Sequence, residues 1–416
     1  MNIGIVTTWF ERGAAYVSRQ YLNTLKKKFN VYVYARGGEE YAIKDQTWDS
    51  EIIWWGRKSY LPISTAIDIA DFRKWLNEKK IEVVIFNEQR WWLPVIRCKQ
   101  WGLNTIAYID YYTSKTIPLF NLYDSLICHT KRHAQAFNWH KEIHYVPWGT
   151  DIGVFKPKQT GLVEKGIVTF FHSCGHNPFR KNSAMVINCF AQLRVPARLI
   201  IHSQVDIGIK DPKIKEIFEK LITERRIIYF QKTISAPGLY GLGDVYVYPS
   251  ISDGLGLTVA EAIASGLACL VTDDSPMNEF FSDEYAQKIR VEKHFSQHND
   301  PYYWPKAVVS KENLRKKMEY CASHPDWVAV AKTKARRFAE DRLDWNKNGQ
   351  ELFGILEALP KPSPPNRMIM EKARLADREA LPYDWNLAWL YRMNRVIDLS
   401  FKAIGRSLSR LDLINR

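Results

Sequence analysis

The sequence predicts two successive α/β domains, each built as a doubly wound, Rossmann-like parallel sheet. Short runs of β-branched and aromatic residues alternate with stretches of helical periodicity, which is the pattern of βαβ units. After about residue 150 the same alternation begins again. A length of 416 residues also suits two cores of ordinary size better than one.

The first domain is predicted over residues 1–150. Its strands are expected at NIGIVTT, NVYVYAR, VVIFN, TIAYI, SLICHT and IHYVP. The helices between them include YVSRQYLNTLKKK and ISTAIDIADFRKWLNEKK. The second domain is predicted over residues 151–345, with strands at GIVTFFHS, ARLIIHS, RIIYFQ, VYVYPS and LACLVTDD. Two such domains in succession form a cleft, and ligands bind beyond the carboxyl ends of parallel strands.

The remaining residues, 346–416, are predicted as a crossover helix, a proline-rich linker (PKPSPPNR) and a basic amphipathic helical tail. Residues 361–416 contain 11 basic and 6 acidic residues, a net charge of +5. Between residues 384 and 416 apolar side chains recur every three or four positions, from Leu390 to Leu411. Such a helix lies on an anionic membrane, or it docks on the chain's own body or on a dimer partner. The sequence leaves these alternatives open.

Composition restricts the class of protein. The chain is 46% hydrophobic and 25% charged, as soluble globular proteins are. No apolar run is long enough for a membrane span, and the start, MNIGIVTTWF, lacks the pattern of a signal peptide. Six scattered cysteines without zinc spacing favour a reduced, cytoplasmic protein without structural metal. The net charge of +14 favours phosphorylated ligands, acidic lipid surfaces or nucleic acid, or serves solubility alone.

The stretch SISDGLGLTVAEAIASG, residues 250–266, is the first candidate site. Gly254 and Gly256 allow the backbone to approach a ligand closely. The helix expected to begin near Leu257 offers free N–H groups to an anion. Asp253 and Glu261, eight positions apart, stand on either side of this loop, where carboxylates accept hydrogen bonds from hydroxyls. A phosphorylated sugar fits this pattern, although a glycine turn with a capping acid explains it as well.

A second candidate loop, HSCGHNPFRKN, follows the first strand of the second domain. It contains Gly175 and the adjacent cations Arg180 and Lys181, which can neutralise a diphosphate or can be solvated loop charges. In the first domain, Gly13 lies between the first strand and the first helix and can bring a backbone amide to the cleft.

These motifs, in this order, resemble those of the GT-B glycosyltransferases, specifically the retaining family 4 (glycosyl transferases group 1). That family's signature, E-G-F-G-L-x4-E-A-x-A-x-G, is matched from Asp253 through Leu255 and Leu257 to Glu261 and Gly266. VPWGTDIGVFKP is similar to the family's PNGVD…F.P linker, and LYGLGDVYVYPS to its lYa.ADvfvlPS strand. GHNPFRKN is similar to its phosphate-binding GR…KG segment. The resemblance covers roughly residues 1–355.

The resemblance implies a role for each residue that matches. Glu261 would accept the ribose hydroxyls of a nucleotide sugar, Arg180 and Lys181 would hold its diphosphate, and Asp253 with the amides of residues 254–257 would contact the transferred sugar. The family retains the anomeric configuration, with the donor phosphate accepting the acceptor's proton, so no protein base and no metal cofactor are implied.

The sequence also departs from the family. Asp253 replaces a glutamate, and His176 stands at an arginine position, so that Arg180 would supply that charge. The first domain lacks the family's histidine and has Asn87, Glu88 and Asp110 instead. Glu88 and Asp110 are therefore weaker candidates for acceptor binding.

Two further features have an ordinary structural interpretation and a functional one. Among 15 tryptophans, the pairs Trp54–Trp55 and Trp91–Trp92 could stack on an acceptor sugar or pack in the core. The adjacent Asp273 and Asp274 are expected to end a strand and line the cleft, and not to bind a metal.

The predicted function is a retaining transfer of a hexose from a UDP- or GDP-sugar to a lipid-linked or cell-envelope glycan. The enzyme is expected to be cytoplasmic and peripheral on the inner face of the membrane. The alternatives are glycosylation of a modified DNA base or a protein, a non-catalytic sugar-nucleotide binding protein, and a sugar-nucleotide epimerase.

Overall fold

The structure is a computed structural model that describes residues 1–61, 65–110, 112–158, 166–295 and 306–379. The tail predicted at 384–416 lies outside the described residues. Within them, no helix combines the length and apolarity needed to cross a membrane. All six cysteines are buried and have free thiols.

The strands of the first domain are parallel. They are β1 (Asn2–Thr7), β2 (Asn30–Gly37), β3 (Ile53–Lys58), β4 (Val83–Asn87), β5 (Asn104–Tyr108), β6 (Ser125–Cys128) and β7 (Ile143–Tyr145). Among the described residues they form one sheet in the order β3-β2-β1-β4-β5-β6-β7. The helices are α1 (Gly13–Leu25), α2 (Ile69–Glu78), α3 (Leu93–Gln100) and α4 (Lys131–Ala136), with a 3-10 helix at Ile117–Leu122.

Helices cover both faces of this sheet. Consecutive residues of β1 belong to different cores, since Ile5 packs with α1 and Val6 packs with α2 and α3. Because both faces are covered, the central strands are largely apolar, and all five residues of β4 are buried.

The second domain repeats this plan. Its parallel strands are β8 (Val168–Gly175), β9 (Ala197–Ser203), β10 (Ile227–Gln231), β11 (Val245–Tyr248), β12 (Ala268–Thr272) and β13 (Ala286–Ile289). Their order is β10-β9-β8-β11-β12-β13, and an antiparallel pair, β14 (Val291–Phe295) and β15 (Lys306–Val309), follows. The helices are α5 (Ser183–Ala191), α6 (Pro212–Thr223), α7 (Leu257–Ala264), α8 (Lys311–Ser323) and α9 (Pro325–Arg342), with a 3-10 helix at Tyr240–Leu242.

The chain passes between the domains twice, and the two passages are bonded to each other. Thr150 donates its N–H to the carbonyl of Leu343 at 2.7 Å and accepts from the N–H of Trp345 at 3.1 Å. Position 149 requires glycine at this crossing, because a Cβ there would lie only 2.7 Å from the backbone nitrogen of Trp345.

After the second passage, α10 (Trp345–Asn348), α11 (Glu351–Glu357) and α12 (Arg367–Glu379) lie against the first domain. Trp345 stacks on Tyr21 at 5.8 Å and donates from its indole nitrogen to Thr24. The two-domain parallel α/β fold with helices at its C-terminal end is confirmed.

Candidate active site

The carboxyl ends of both sheets meet at one cleft, which contains a cavity of about 470 Å³. Its walls follow β1, β4 and β5 in the first domain and β8 and β11 in the second. The strand order reverses between β1 and β4 in the first sheet and between β8 and β11 in the second. Ligands bind at such reversal points in folds of this kind. The predicted site residues that line the cavity are Gly13, Glu88, Asp110, Gly175, Arg180, Lys181, Asp253, Gly254, Leu255 and Leu257.

The glycine loop joins β11 to α7 and is shaped by its two glycines. Gly256 has a φ of +80°, a left-handed conformation that suits glycine, and it caps α7. A Cβ added at Gly254 would overlap Oδ1 of Asp110 in the first domain. The backbone N–H groups of Leu255 and Gly256 donate to Oδ1 of Asp253 at 3.4 and 3.2 Å. Two amides that were expected to face a ligand therefore hold Asp253 in this structure.

Asp253 is paired with Lys181 inside the same wall. The Lys181 ammonium donates to the Asp253 carboxylate and to the hydroxyl of Tyr248, which in turn donates to Asp253. Burial lowers the pKa of Lys181 to about 8, against the opposing effect of Asp253. Although burial alone raises it, the charges of Lys181 and Arg180 bring the pKa of Asp253 well below its usual range. Lys181 and Asp253 thus neutralise each other, and Arg180 adds a further positive charge to the wall.

Glu261 lies in a second cavity of about 140 Å³ that adjoins the first. Gly13, Gly175 and Leu257 line both cavities, so one extended ligand can occupy the two together. Oε2 of Glu261 accepts a hydrogen bond from the hydroxyl of Tyr240 at 2.6 Å. Burial raises the pKa of Glu261 to about 7, and the charge of Glu11 adds to this while the Tyr240 bond opposes it.

The first domain closes the smaller cavity through the loop between β1 and α1. Tyr16 donates to Glu11 and accepts from the backbone N–H of Ala236 in the second domain at 3.3 Å. A Cβ at Gly13 would lie 3.2 Å from Cδ1 of Leu257, so the start of α1 packs directly on the start of α7. Neither helix has a side-chain cap, and the positive ends of both dipoles lie at the junction of the two cavities.

Two acids form the opposite wall of the larger cavity. Oε2 of Glu88 lies 3.7 Å from a guanidinium nitrogen of Arg12, and Glu88 has a left-handed φ of +53°. Asp110 is buried, and its Oδ1 has no hydrogen-bond partner among the described residues. Burial raises the pKa of Asp110 well above its usual value, and the charge of Glu88 raises it further. A neutral Asp110 can donate to Glu88, and its Oδ1 lies against Gly254 where the two domains meet.

The tryptophan pairs lie elsewhere. Trp91 and Trp92 are each 4% exposed and belong to the core of the first domain. Trp54 and Trp55 lie on the edge strand β3, where their indole nitrogens donate to nearby aspartates. None of the four lines either cavity.

Asp273 and Asp274 make ion pairs. Asp274 lies 3.0 Å from Arg132 of the first domain and 3.4 Å from His294, and Asp273 lies 3.7 Å from Lys288. In the part of the chain that the structure describes, no three His, Cys, Asp or Glu side chains are grouped as metal ligands. The Arg132–Asp274 pair links the two domains.

Sequence reasoning did not identify four side chains that shape the site: Glu11, Arg12, Tyr240 and Tyr248. Tyr240 and Tyr248 belong to LYGLGDVYVYPS, which was interpreted as a strand similar to one in the family. No role in the site was predicted for its tyrosines. Arg12 is adjacent to Gly13, and a charged residue next to a cleft glycine is the signal that could have identified it.

Comparison with known proteins relates this arrangement to glycosyl transfer. Residues 156–299 match the family model described as glycosyl transferases group 1. These residues include both candidate loops of the second domain. Curated protein sequences give no significant match.

Several solved structures share the fold of the whole two-domain body. HepE from Anabaena, solved in complex with UDP and glucose, is 14% identical with a TM-score of 0.67, over 86% of this chain and 100% of that one. Sucrose-phosphate synthase from Thermosynechococcus elongatus is 14% identical with a TM-score of 0.65, over 86% and 99%. WaaG, a glycosyltransferase involved in lipopolysaccharide biosynthesis, is 15% identical with a TM-score of 0.58, over 85% and 99%.

Proposed function

We propose that this chain, which has the GT-B fold and whose residues 156–299 match the family model of glycosyl transferases group 1, is a retaining family 4 glycosyltransferase. It transfers a hexose from a UDP- or GDP-sugar to a glycan acceptor. The observation that carries this proposal is the placement of Glu261 in a small cavity that continues, past the starts of α1 and α7, into the larger one.

The donor is proposed to lie across both cavities. In the smaller cavity the Glu261 carboxylate accepts the ribose hydroxyls, beside the hydroxyl of Tyr240 that already donates to it at 2.6 Å. The diphosphate lies at the junction, where the positive ends of two helices and Arg180 favour an anion. The hexose enters the larger cavity, beside the Gly254–Leu255 loop and Glu88.

The reaction requires stabilisation of a leaving diphosphate. In the proposed mechanism, the bond between C1 of the hexose and the diphosphate oxygen breaks while a bond from C1 to the acceptor oxygen forms on the same face. The acceptor's hydroxyl proton passes to the departing phosphate oxygen. Arg180, Lys181 and the helix amides offset the developing charge without reorganising, which is the main advantage of a preorganised polar site. The proposal assigns this role to these groups and not to a metal ion.

The acceptor is proposed to lie against Glu88 and Asp110 and to be a lipid-linked or cell-envelope glycan. Carboxyl groups in a cleft hydrogen-bond to sugar hydroxyls, and Glu88 and Asp110 both line the larger cavity. The net charge of +14 favours work at the inner face of an anionic membrane. WaaG, which shares the fold, is involved in lipopolysaccharide biosynthesis.

The test of the proposed reaction is the release of nucleoside diphosphate from UDP- and GDP-hexoses. The purified protein is incubated with each donor, with and without a lipid extract from bacterial envelopes, beside the Glu261→Ala variant. Release from one donor, stimulated by the extract and lost in the variant, supports the proposal. A radiolabelled hexose that stays water-soluble in every case contradicts the lipid-linked acceptor.

Membrane binding is tested separately by sedimentation with vesicles of phosphatidylglycerol or phosphatidylcholine. The full chain is compared with a chain that ends at Glu379, because an earlier end would remove α12 from the first domain. The proposal predicts binding of the full chain to the anionic vesicles and weaker binding of the shorter chain. Equal and negligible binding of both contradicts it.

A further inference from the structure

The last described segment, residues 360–379, forms a strap across the first domain. The carbonyl of Pro360 accepts a hydrogen bond from the side-chain amide of Asn104 at 2.8 Å. Further along, α12 buries Ala373 completely in the core that also holds Trp92. The strap therefore packs as part of this domain, although it follows the second domain in sequence.

The strap ends in a buried carboxylate placed at the start of α3. Oδ1 of Asp377 accepts from the backbone N–H of Trp92 at 2.8 Å, and Oδ2 accepts from that of Leu93 at 3.1 Å. Trp92 occupies the cap position of α3 and provides no side-chain cap of its own. Asp377 thus satisfies two N–H groups that a helix start leaves without intrahelical partners.

The capped helix directly follows the loop that carries Glu88. Residues 88–92 join β4 to α3, and Glu88 lines the larger cavity with its backbone in the left-handed region. The backbone of a residue other than glycine stays in the left-handed region only when the surrounding structure holds it there. The guanidinium of Arg36 donates to the carbonyl of Asn87, the residue before Glu88, at 2.7 Å. At the other end of the loop, Asp377 accepts from the backbone N–H of Trp92.

We propose that Asp377 is a positioning residue for Glu88, so that the C-terminal strap completes the acceptor wall of the cleft. The proposal rests on the proposed function for the role of Glu88 in transfer. The contact itself joins positions 285 residues apart, so it is a tertiary constraint on the loop and not a local turn.

The test compares Asp377→Ala and Asp377→Asn with Glu371→Ala. Glu371 is the matched control, because its exposed carboxylate lies on the same helix and pairs only with Arg367 in the described structure. Amide hydrogen exchange is measured first, since it does not depend on catalysis. In Asp377→Ala the amides of residues 88–93 should exchange about tenfold faster, as expected for the loss of a buried hydrogen bond. Asp377→Asn keeps one acceptor oxygen, so its exchange rates at residues 88–93 should lie between those of the alanine variant and those of the wild type.

The second readout is nucleoside diphosphate release from UDP-glucose and GDP-mannose in the presence of the lipid extract from bacterial envelopes. Asp377→Ala should lower kcat while leaving the donor KM unchanged, because residues 88–93 do not line the smaller cavity in which the nucleoside is proposed to bind. Unchanged exchange at residues 88–93, or a lower Tm with unchanged kcat and KM, would overturn the proposal. If the wild type releases no nucleotide, the proposed function fails with these donors, and the exchange data still decide whether Asp377 holds the loop.

Discussion

The protonation of Glu261 should control how tightly the protein binds a nucleotide sugar. The carboxylate is the form that accepts hydrogen bonds from two ribose hydroxyls, and burial raises its pKa to about 7. As the pH falls through 7, the protein loses the form that binds. We therefore expect donor affinity to weaken on acidification between pH 8 and pH 6.

The magnitude follows from the fraction of carboxylate. A group with a pKa of about 7 is roughly 90% ionised at pH 8 and roughly 10% at pH 6, so the apparent Kd should rise about tenfold. Lys181 has the opposite effect, because its pKa of about 8 gives it more positive charge at pH 6 than at pH 8. That gain is about twofold at most, so the net change remains a loss of affinity.

Isothermal titration calorimetry with an intact UDP- or GDP-sugar measures this directly, since the diphosphate diester does not titrate in this range. Glu261→Gln should bind the donor about 10 to 100 times more weakly at pH 8, which is the loss expected for hydrogen bonds to a charged group. The donor affinity of this variant should no longer fall on acidification. Glu284→Gln, an exposed carboxyl of the same domain, is the control and should behave as the wild type. A wild-type affinity that stays level or rises on acidification refutes the reasoning.

Three further substitutions test the architecture of the cleft. Gly254→Ala should lower the rate of transfer about 100-fold, because its Cβ overlaps Asp110 and holds the domains apart; a wild-type kcat contradicts this. Lys181→Met should cost about 3 kcal/mol in urea unfolding, since it leaves the buried carboxylate of Asp253 unpaired, and adding Asp253→Asn should recover most of the loss. Trp345→Ala should also cost about 3 kcal/mol by the same measurement, and an unchanged midpoint would show that the chain's return passage adds little to stability.

The parts of the fold that could be predicted are those set by local pattern. VVIFN and ARLIIHS are strands β4 and β9 residue for residue, because strands buried on both faces have a largely apolar sequence that is easily recognised. The edge strands β3 (IWWGRK) and β13 (AQKI) were not predicted. Their sequences carry charges and glycine, and pairing with a neighbouring strand, which the sequence alone does not show, is what makes them strands.

The same limit applies to the site. The loop from Asp253 to Gly256 and the first turns of α7 are local in sequence, and the structure places their residues along the two adjoining cavities. Lys181 meets Asp253 from 72 positions away, and Asp377 meets Trp92 from 285 positions away. Such contacts depend on how the strands are ordered in the sheets. For this reason the sequence did not show that Lys181 pairs with Asp253.

The central claim is that the cleft binds a nucleotide sugar through Glu261. The most direct measurement is thermal unfolding with UDP-, GDP-, ADP- and dTDP-sugars, for the wild type and Glu261→Ala. A donor at 100 times its Kd should stabilise the wild type by about 2.7 kcal/mol. We expect a clear shift with one nucleotide base that is lost in the variant. No shift with any of the four, or an equal shift in both proteins, contradicts it.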